Sequence, residues 1–305
     1  ALFTAVAAFG IGNMVQSNSM ADAMHVAFGV PEWVTGLAVA LGVGAVILGG
    51  IRSIGRFTGV FVPMMVLLYL VASGVVLVLF ADRIPAALAL IFHDAFTGSA
   101  AAGGFLGATL AQAMRYGVAR GIFSNESGLG SAGIAAAAAQ TKEPVRQALV
   151  SMTQTFIDTI VVCTFTGVAI VATGVWNSGE NGAALTQSAF AAAMPNGIGA
   201  AVVAVCLALF AFSTILGWAY YGGRSVEYLL GERAILPYRL AFIAAAFAGS
   251  VYSLDFVWLV SDLMNGLMAL PNLIGLLLLS GVAARETRLY FERQSAAGMT
   301  GRPGQ

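Results

Sequence analysis

Polar side chains are concentrated in three short stretches of an otherwise apolar sequence, and the first is NMVQSNSMAD, residues 13–22. Asn13, Gln16 and Met20 are spaced so that they share one face of a helix. A side-chain amide both donates and accepts hydrogen bonds, which suits a small zwitterionic solute. The same amides could instead bond to a neighbouring helix. We predict that Gln16 lines a binding site and that Asn13 has a structural role.

The second stretch, residues 115–139, combines glycines with polar and charged residues. Its glycines are Gly117, Gly121, Gly128 and Gly130. Because Gly in a helix interior costs about 1 kcal/mol relative to Ala, we predict that the helix unwinds around residues 115–131. An unwound segment frees backbone groups that can bind ions and substrate. The alternative is a kinked or re-entrant helix that binds no ligand.

Three polar residues lie at the predicted break, and two of them receive predicted roles. Asn125 is predicted to bind the substrate. Glu126 is predicted to pair with Arg115 or Arg120 and so to hold the shape of the break, because an unpaired charge is costly in an apolar segment. Glu126 and Arg120 are therefore assigned a structural or gating role.

The third stretch is FAFSTILGWAYYGG, residues 210–223. Ser213 and Thr214 are adjacent hydroxyl residues, and hard cations such as Na⁺ take oxygen ligands. Trp218 follows Thr214 by one helical turn and shares its face. The alternative is that the two hydroxyls only bond to carbonyl groups of their own helix.

Two further acids, Asp158 and Asp262, lie in apolar segments. Either could carry protons or gate a pathway, but a hydrogen-bonded structural acid is favoured, and Asp158 is given a structural or gating role. An intramembrane hydrolase would need two acids, or a Ser with a base, at matching depth, and Asp158 and Asp262 are the acid pair to test. The sequence has no phosphate-binding loop, nucleophile elbow or metal-binding spacing, which argues against an ATP-driven protein or an enzyme.

The composition indicates a membrane protein. Of the 305 residues, 59% are hydrophobic and only 9% are charged, whereas soluble proteins carry about 25% charged residues. The net charge is zero, so nothing suggests a nucleic-acid partner. Cys163 and Cys206 lie in apolar runs and are interpreted as small core residues.

Apolar segments long enough to cross a bilayer recur along the chain, since a spanning helix needs roughly 20 residues. We place them at residues 1–28, 31–50, 57–81, 103–139, 148–173, 197–221, 237–253 and 257–282. The runs are continuous and do not alternate, which favours helices over strands. The sequence thus predicts an all-α integral membrane protein with about eight transmembrane helices.

Basic residues occur in every second loop between these segments, which predicts the orientation. The basic loops hold Arg52, Arg56, Lys142, Arg146, Arg224, Arg233 and Arg239, and the tail holds Arg285, Arg288, Arg293 and Arg302. The pattern predicts a multi-pass protein of the cell membrane with both ends of the chain in the cytoplasm. Residues 1–283 are predicted to form the transmembrane domain and residues 284–305 a cytoplasmic polar tail.

Five strings carry a family resemblance, and they are FGIGNMVQSNSMADA, VILGGIRSIGRFTGV, RGIFSNESGLGSAGIAAAAAQTKEPVRQALVSMTQTFIDTIVVCT, STILGWAYYG and NGLMALPNLIGLLLLSG. With these strings the chain resembles the alanine or glycine:cation symporter family from its first residue to about Glu286. The resemblance implies a ten-helix inverted-repeat fold, with two groups of five helices, whose first and sixth core helices are broken. The predicted segments then correspond to core helices three to ten.

The resemblance also implies residue roles. Gln16 would line the substrate pocket, and Phe123 would close over the side chain of the solute. Thr214 and Trp218 would bound the pocket and limit its size. Ser213 and Thr214 would supply oxygen ligands to the coupling Na⁺.

By this resemblance, the expected function is sodium-coupled symport of a small neutral amino acid, alanine or glycine, by alternating access within the lipid bilayer. The expected partners are the amino acid and Na⁺, with no other cofactor; the alternative is a proton-coupled or uncoupled permease or channel. One string of the family, Thr-Ala-Leu-Ala followed by Gly-Thr-Gly-Asn, is not found. We therefore expect the chain to be truncated at its N-terminus and to lack the first helices of its fold.

Overall fold

The computed structural model of the chain describes residues 1–95 and 110–300. The described residues form helices and no strand. The α-helices are α1 (Leu2–Phe9), α2 (Val15–Phe28), α3 (Glu32–Ile47), α4 (Gly50–Leu79), α5 (Ile84–Ala95), α6 (Leu110–Asn125), α7 (Ser131–Ala136), α8 (Pro144–Thr155), α9 (Thr164–Thr173), α10 (Gly182–Ala193), α11 (Ile198–Leu230), α12 (Ile235–Val251) and α13 (Leu254–Thr300). The all-helical prediction is confirmed for this part of the chain.

Two continuous helical stretches contain π-helical turns. Residues Gly10–Met14 join α1 to α2, and residues Phe156–Cys163 join α8 to α9. A π-helical turn widens the helix locally and is frequent at functional sites. Both turns carry residues that the sequence singles out, Asn13 in the first and Asp158 in the second.

Five helical stretches of the described residues are long and apolar enough to cross a membrane. They are Ser53–Leu79, Pro144–Thr173, Ile198–Leu230, Glu232–Val251 and Leu254–Ala296. Helix α3 is apolar but shorter, the segment predicted at 1–28 is divided by a π-helical turn, and the segment predicted at 103–139 is divided by a break. The first residues of that last segment, 103–109, and the tail residues 301–305 lie outside the described residues. The predicted number of transmembrane helices and the inverted repeat stay predictions.

Two helices occur outside the predicted segments. Helix α5 follows the third segment, and helix α10 lies within the polar stretch between the fifth and sixth segments. Helix α10 is not peripheral, because Phe190 and Gln187 on it are buried and Gln187 donates to the carbonyl of Ala23 over 3.0 Å. The two helices were missed because their apolar runs are shorter than a membrane span.

The main core lies where α11 packs against α1 and α2 and where α12 packs against α2 and α3. Small residues allow these helices to approach closely. A Cβ atom at Gly222 would overlap the hydroxyl of Tyr238, and one at Gly249 would overlap Met14 and Ser17. A second core joins α4, α9, α10 and α11 around Tyr69. Helix α11 therefore contributes to both cores and is the central element of the fold.

Candidate functional site

The segment that the sequence predicts to unwind is broken in the structure. Helix α6 ends at Asn125 and α7 begins at Ser131, and residues 126–130 between them (the break) leave the helical path. Glu126 has φ +57°, and Gly128 and Gly130 have φ +81° and +96°. Glycine adopts this left-handed conformation at little cost, which explains why Gly128 and Gly130 lie within the break. The prediction of a broken helix is confirmed.

The carboxylate of Glu126 is bonded on both oxygens. Trp218 donates from Nε1 to Oε1 over 2.9 Å, and Ser131 donates from its hydroxyl to Oε2. Trp218 and Ser131 are 1% and 0% exposed, so both bonds are shielded. Glu126 thus connects the break to α11 and to the start of α7, which agrees with its predicted structural role.

The predicted partner of Glu126 is wrong. Glu126 makes no ion pair with any described residue, and Arg120 instead pairs through Nη2 with Asp262 on α13. The guanidinium of Arg120 also lies 4.1 Å from the ring centre of Trp258. The physical reason is local: α13 offers Arg120 both a carboxylate and an aromatic ring, whereas Glu126 is already satisfied by an indole and a hydroxyl.

Phe123 lies on α6 close to the break, and its ring centre is 4.8 Å from that of Trp258. It also packs against the main core. Together with the pair between Arg120 and Asp262, this contact holds the first half of the broken helix against α13. Whether Phe123 closes over a solute stays a prediction.

A cavity of about 410 Å³ adjoins the break (the Thr214 cavity). Its described lining residues include Glu126, Ser213, Thr214 and Trp218, and the remainder come mainly from α4, α7, α8 and α11. Small-molecule sites commonly span about 300–1,000 Å³. Four residues that the sequence singles out from two distant stretches are therefore brought together around one cavity of suitable size.

The two hydroxyls of this cavity bond to their own helix. Ser213 and Thr214 both donate to the carbonyl oxygen of Phe210, over 2.8 Å and 3.0 Å. The bonds that these hydroxyls donate are therefore those of the alternative, in which Ser213 and Thr214 bond to a carbonyl group of their own helix. Each hydroxyl oxygen keeps lone pairs that can accept a bond or bind a cation.

Gln16 does not belong to the described lining of the Thr214 cavity. Its side chain is half-buried and donates from Nε2 to the carbonyl of Ile11 over 3.2 Å, within the first π-helical turn. Asn13 is fully buried and donates to the carbonyl of Phe242 over 2.6 Å, which agrees with a structural role. The substrate role of Gln16 stays a prediction.

Gly12 is a functional candidate that the sequence analysis missed. A Cβ atom at this position would overlap the side chain of Trp218. The first π-helical turn can therefore pack directly against Trp218 because residue 12 has no side chain. The only signal in the sequence is a glycine beside the polar residue Asn13. The partner of that glycine is more than 200 positions away and cannot be inferred from local sequence.

A second cavity, of about 330 Å³, is lined by Ser124 near the end of α6 and by Asp158 in the second π-helical turn (the Asp158 cavity). Ser124 and Thr159 donate to Oδ2 of Asp158 over 2.8 Å and 3.2 Å. Asn125 donates from Nδ2 to the hydroxyl of Thr159 over 3.1 Å. Asn125 also accepts a bond from the backbone N–H of Ser127 over 3.0 Å. Asp158 is a hydrogen-bonded acid as predicted, while the substrate role of Asn125 is untested.

The two intramembrane acids have different partners. Asp262 pairs with Arg120, whereas Asp158 is bonded by hydroxyl groups. An acid pair that shares a proton, which an aspartic hydrolase requires, is not formed by these contacts.

The family model of the sodium:alanine symporter family matches residues 1–302. The chain belongs to this family. It is 52% identical over 296 residues to the sodium/alanine symporter AgcS of Methanococcus maripaludis, an alignment that covers 96% of this chain and 64% of that protein. The predicted family resemblance is thereby confirmed.

Two other proteins are also similar to this chain over most of its length. An uncharacterised transporter of Haemophilus influenzae is 51% identical over 289 residues, which cover 94% of this chain and 63% of that protein. The sodium/proton-dependent alanine carrier protein of Bacillus sp. strain PS3 is 33% identical over 298 residues, which cover 92% of this chain and 66% of that carrier. The chain thus spans a little under two thirds of the length of AgcS and of the Haemophilus influenzae transporter.

The symporter family to which the chain belongs is a family of transporters and not of enzymes. With five apolar spans among its described residues, it is a multi-pass protein of the cell membrane. The family description implies Na⁺ as a coupling ion and indicates no organic cofactor. The orientation of the chain ends stays a prediction.

Proposed function

We propose that this symporter-family chain takes part in the sodium-coupled symport of a small neutral amino acid, alanine or glycine, by alternating access. The observation that carries this proposal is the broken helix beside the Thr214 cavity. Broken helices at the middle of the membrane are a common way to build transporter sites. The name of the 52% identical relative supports alanine as the substrate and sodium as the ion.

The substrate is proposed to bind where the break meets the Thr214 cavity. Backbone groups of residues 126–130 lie outside a regular helix and can bond to the carboxylate and ammonium groups of an amino acid. Thr214 and Trp218 border the same cavity, and the proposal gives them the role of limiting the size of the side chain that binds there. Phe123 lies just before the break, and the proposal gives it the role of covering the substrate.

Na⁺ is proposed to bind at the oxygen atoms of Ser213 and Thr214. Bound Na⁺ orders the cavity, and the amino acid then binds more tightly by a coupling free energy of about 1–3 kcal/mol, with each ligand favouring the other equally. Glu126 and Arg120 hold the two halves of the broken helix to α11 and α13. Movement of these helices relative to each other would open the site alternately to the two sides.

A proton-coupled permease is the second candidate. It is favoured by one relative, which is named as a sodium/proton-dependent alanine carrier. An uncoupled permease or channel would need neither ion.

Counterflow of labelled alanine in proteoliposomes separates these functions. The full-length protein is reconstituted with unlabelled alanine inside, and uptake is measured at fixed pH in Na⁺ and in choline. We expect uptake to require Na⁺ and to be inhibited by external alanine or glycine but not by leucine. Uptake that is equal in the two salts would contradict sodium coupling. Uptake that instead follows an imposed pH gradient would favour the proton-coupled permease.

A further inference from the structure

We propose that Asp158, Ser124 and Thr159 form a second site for Na⁺, separate from the pair Ser213 and Thr214. The ligands are a carboxylate oxygen of Asp158, the hydroxyl oxygen of Ser124, which also lines the Asp158 cavity, and the hydroxyl oxygen of Thr159, which lies 3.2 Å from Oδ2 of Asp158. As a site for the coupling ion it rests on the proposed symport. As a cation-binding site it rests on the geometry alone.

The position of Asp158 calls for a positive partner. It is the fifteenth of the 30 residues of the apolar span Pro144–Thr173, so it lies at the middle of that span. A charged side chain at this depth is costly unless it is paired or faces a cavity. Among the described residues no Lys, Arg or His pairs with Asp158, and Arg120 is engaged by Asp262.

The hydrogen bonds that described residues donate to Asp158 use only one of its two carboxylate oxygens. The hydroxyls of Ser124 and Thr159 both donate to Oδ2. Within the described part of the chain no donor reaches Oδ1, so this oxygen is open to a cation. Hard cations bind to oxygen ligands such as these.

The surroundings of Asp158 are suited to hold a small cation. Ser19, Tyr69, Thr166 and Thr186 add further hydroxyl groups to the lining of the Asp158 cavity. This cavity shares none of its described lining residues with the Thr214 cavity. The two candidate cation sites are thus separate, with α11 contributing to the lining of both.

The site also gives a route for coupling. Ser124 and Asn125 are the last two residues of α6, and both bond to the second π-helical turn, Ser124 through Asp158 and Asn125 through Thr159. A cation held by Asp158 and Ser124 would fix the end of α6 against that turn. Residue 126, where the break begins, follows directly, so cation binding would order the backbone that the proposed substrate contacts.

Binding of radioactive sodium to the purified full-length protein tests this site. For Asp158→Asn we expect the half-saturating Na⁺ concentration of the Asp158 site to rise by at least about tenfold, because a charged ligand is lost, while the site at Ser213 and Thr214 keeps its own half-saturating concentration. Asp22→Asn is the matched control, since it removes a carboxylate from α2 outside both cavities, and it is expected to bind sodium as the unmodified protein does. Unchanged sodium binding by a folded Asp158→Asn protein would overturn the proposal.

Variants that keep the carboxylate test the same site if the Asp158→Asn protein does not fold. Ser124→Ala and Thr159→Val each remove one neutral ligand, and we expect each to raise the half-saturating concentration by about threefold, as for a single neutral hydrogen-bonding group. Asp158→Glu is expected to bind sodium more tightly than Asp158→Asn. If neither hydroxyl variant alters sodium binding and Asp158→Glu behaves as Asp158→Asn does, the proposed ligand set is wrong.

Labelled-alanine counterflow separates this inference from the proposed function. Sodium binding that depends on Asp158, combined with alanine uptake indifferent to Na⁺, would leave the cation site standing and defeat the symport. Sodium-dependent uptake, combined with sodium binding that Asp158→Asn does not affect, would support the symport and defeat the Asp158 site. An Asp158→Asn protein that keeps sodium binding but loses its response to a pH gradient would identify a proton carrier and overturn the sodium site.

Discussion

Two carboxylates lie close to the start of the break, Glu126 as its first residue and Asp158 beside Ser124 at the end of α6, and they accept hydrogen bonds in different ways. Glu126 accepts one hydrogen bond on each oxygen, from donors on α7 and α11 that are almost fully buried. Asp158 accepts two bonds on the same oxygen, from hydroxyls on α6 and on its own π-helical turn. The first arrangement uses the acceptor capacity of both oxygens to hold protein groups together. The second leaves one carboxylate oxygen available to a ligand.

This contrast separates two roles that look alike in the sequence. Both residues are single acids among apolar and small residues, and both were predicted to be structural. A structural acid should matter most for stability, because its removal strands buried donors. A ligand-binding acid should matter most for ion dependence. The three predictions below test this division in order of their expected effect on stability.

Replacing Glu126 by Ala should have the largest effect. It leaves the indole N–H of Trp218 and the hydroxyl of Ser131 buried without an acceptor, and each stranded donor costs about 1–3 kcal/mol. We expect the free energy of unfolding to fall by about 2–4 kcal/mol, measured by equilibrium unfolding in mixed detergent. Glu126→Gln is the control, because its amide oxygen still accepts from Trp218 and should restore about half of the loss. Equal losses in both variants would show that the charge of Glu126, and not its acceptors, holds the break.

Replacing Gly12 by Val should have the next effect. The added side chain would overlap Trp218, and overpacking of this kind typically costs about 1–3 kcal/mol. We also expect the near-ultraviolet circular dichroism of the tryptophans to change, since the indole must move away from Glu126. Gly55→Ala is the matched control, because nothing lies within 4 Å of a Cβ atom built there. It should leave that spectrum unchanged and raise the stability by at most about 1 kcal/mol.

Replacing Asp158 by Asn should have the smallest effect on stability. The amide oxygen can still accept from Ser124, and no buried donor is stranded, so we expect a change of less than about 1 kcal/mol in the same unfolding measurement. If this variant lost as much stability as Glu126→Ala, Asp158 would be a structural acid like Glu126, and the proposed difference between the two acids would be wrong. A small loss of stability combined with weakened sodium binding would support a ligand-binding role for Asp158 and a structural role for Glu126.

The local features of the site were predictable from the sequence. The break follows from the cluster of glycines around Asn125 and Glu126, because helix propensity is a local property. The pairing of Ser213 with Thr214 on one helix follows from their adjacency. These features need no knowledge of which helices are neighbours.

Contacts that depend on the packing of distant helices were not predictable. Glu126 was assigned an arginine partner because charge pairing is the general rule at membrane depth, but the fold supplies Trp218, which is 92 positions away. The hydroxyl cluster around Asp158 joins residues 34 positions apart. Neither π-helical turn has a signature in the apolar pattern, since a single widened turn hardly alters the helical period.

The left-handed backbone of Glu126 has one further consequence. This conformation costs about 1–2 kcal/mol for a residue other than glycine, so it persists only while its surroundings compensate for the strain. The compensating donors sit on two different helices, Ser131 on α7 and Trp218 on α11. The geometry of position 126 therefore reports the spacing between α7 and α11, and a shift of either helix would release a strained residue without any change in the residues of the break itself.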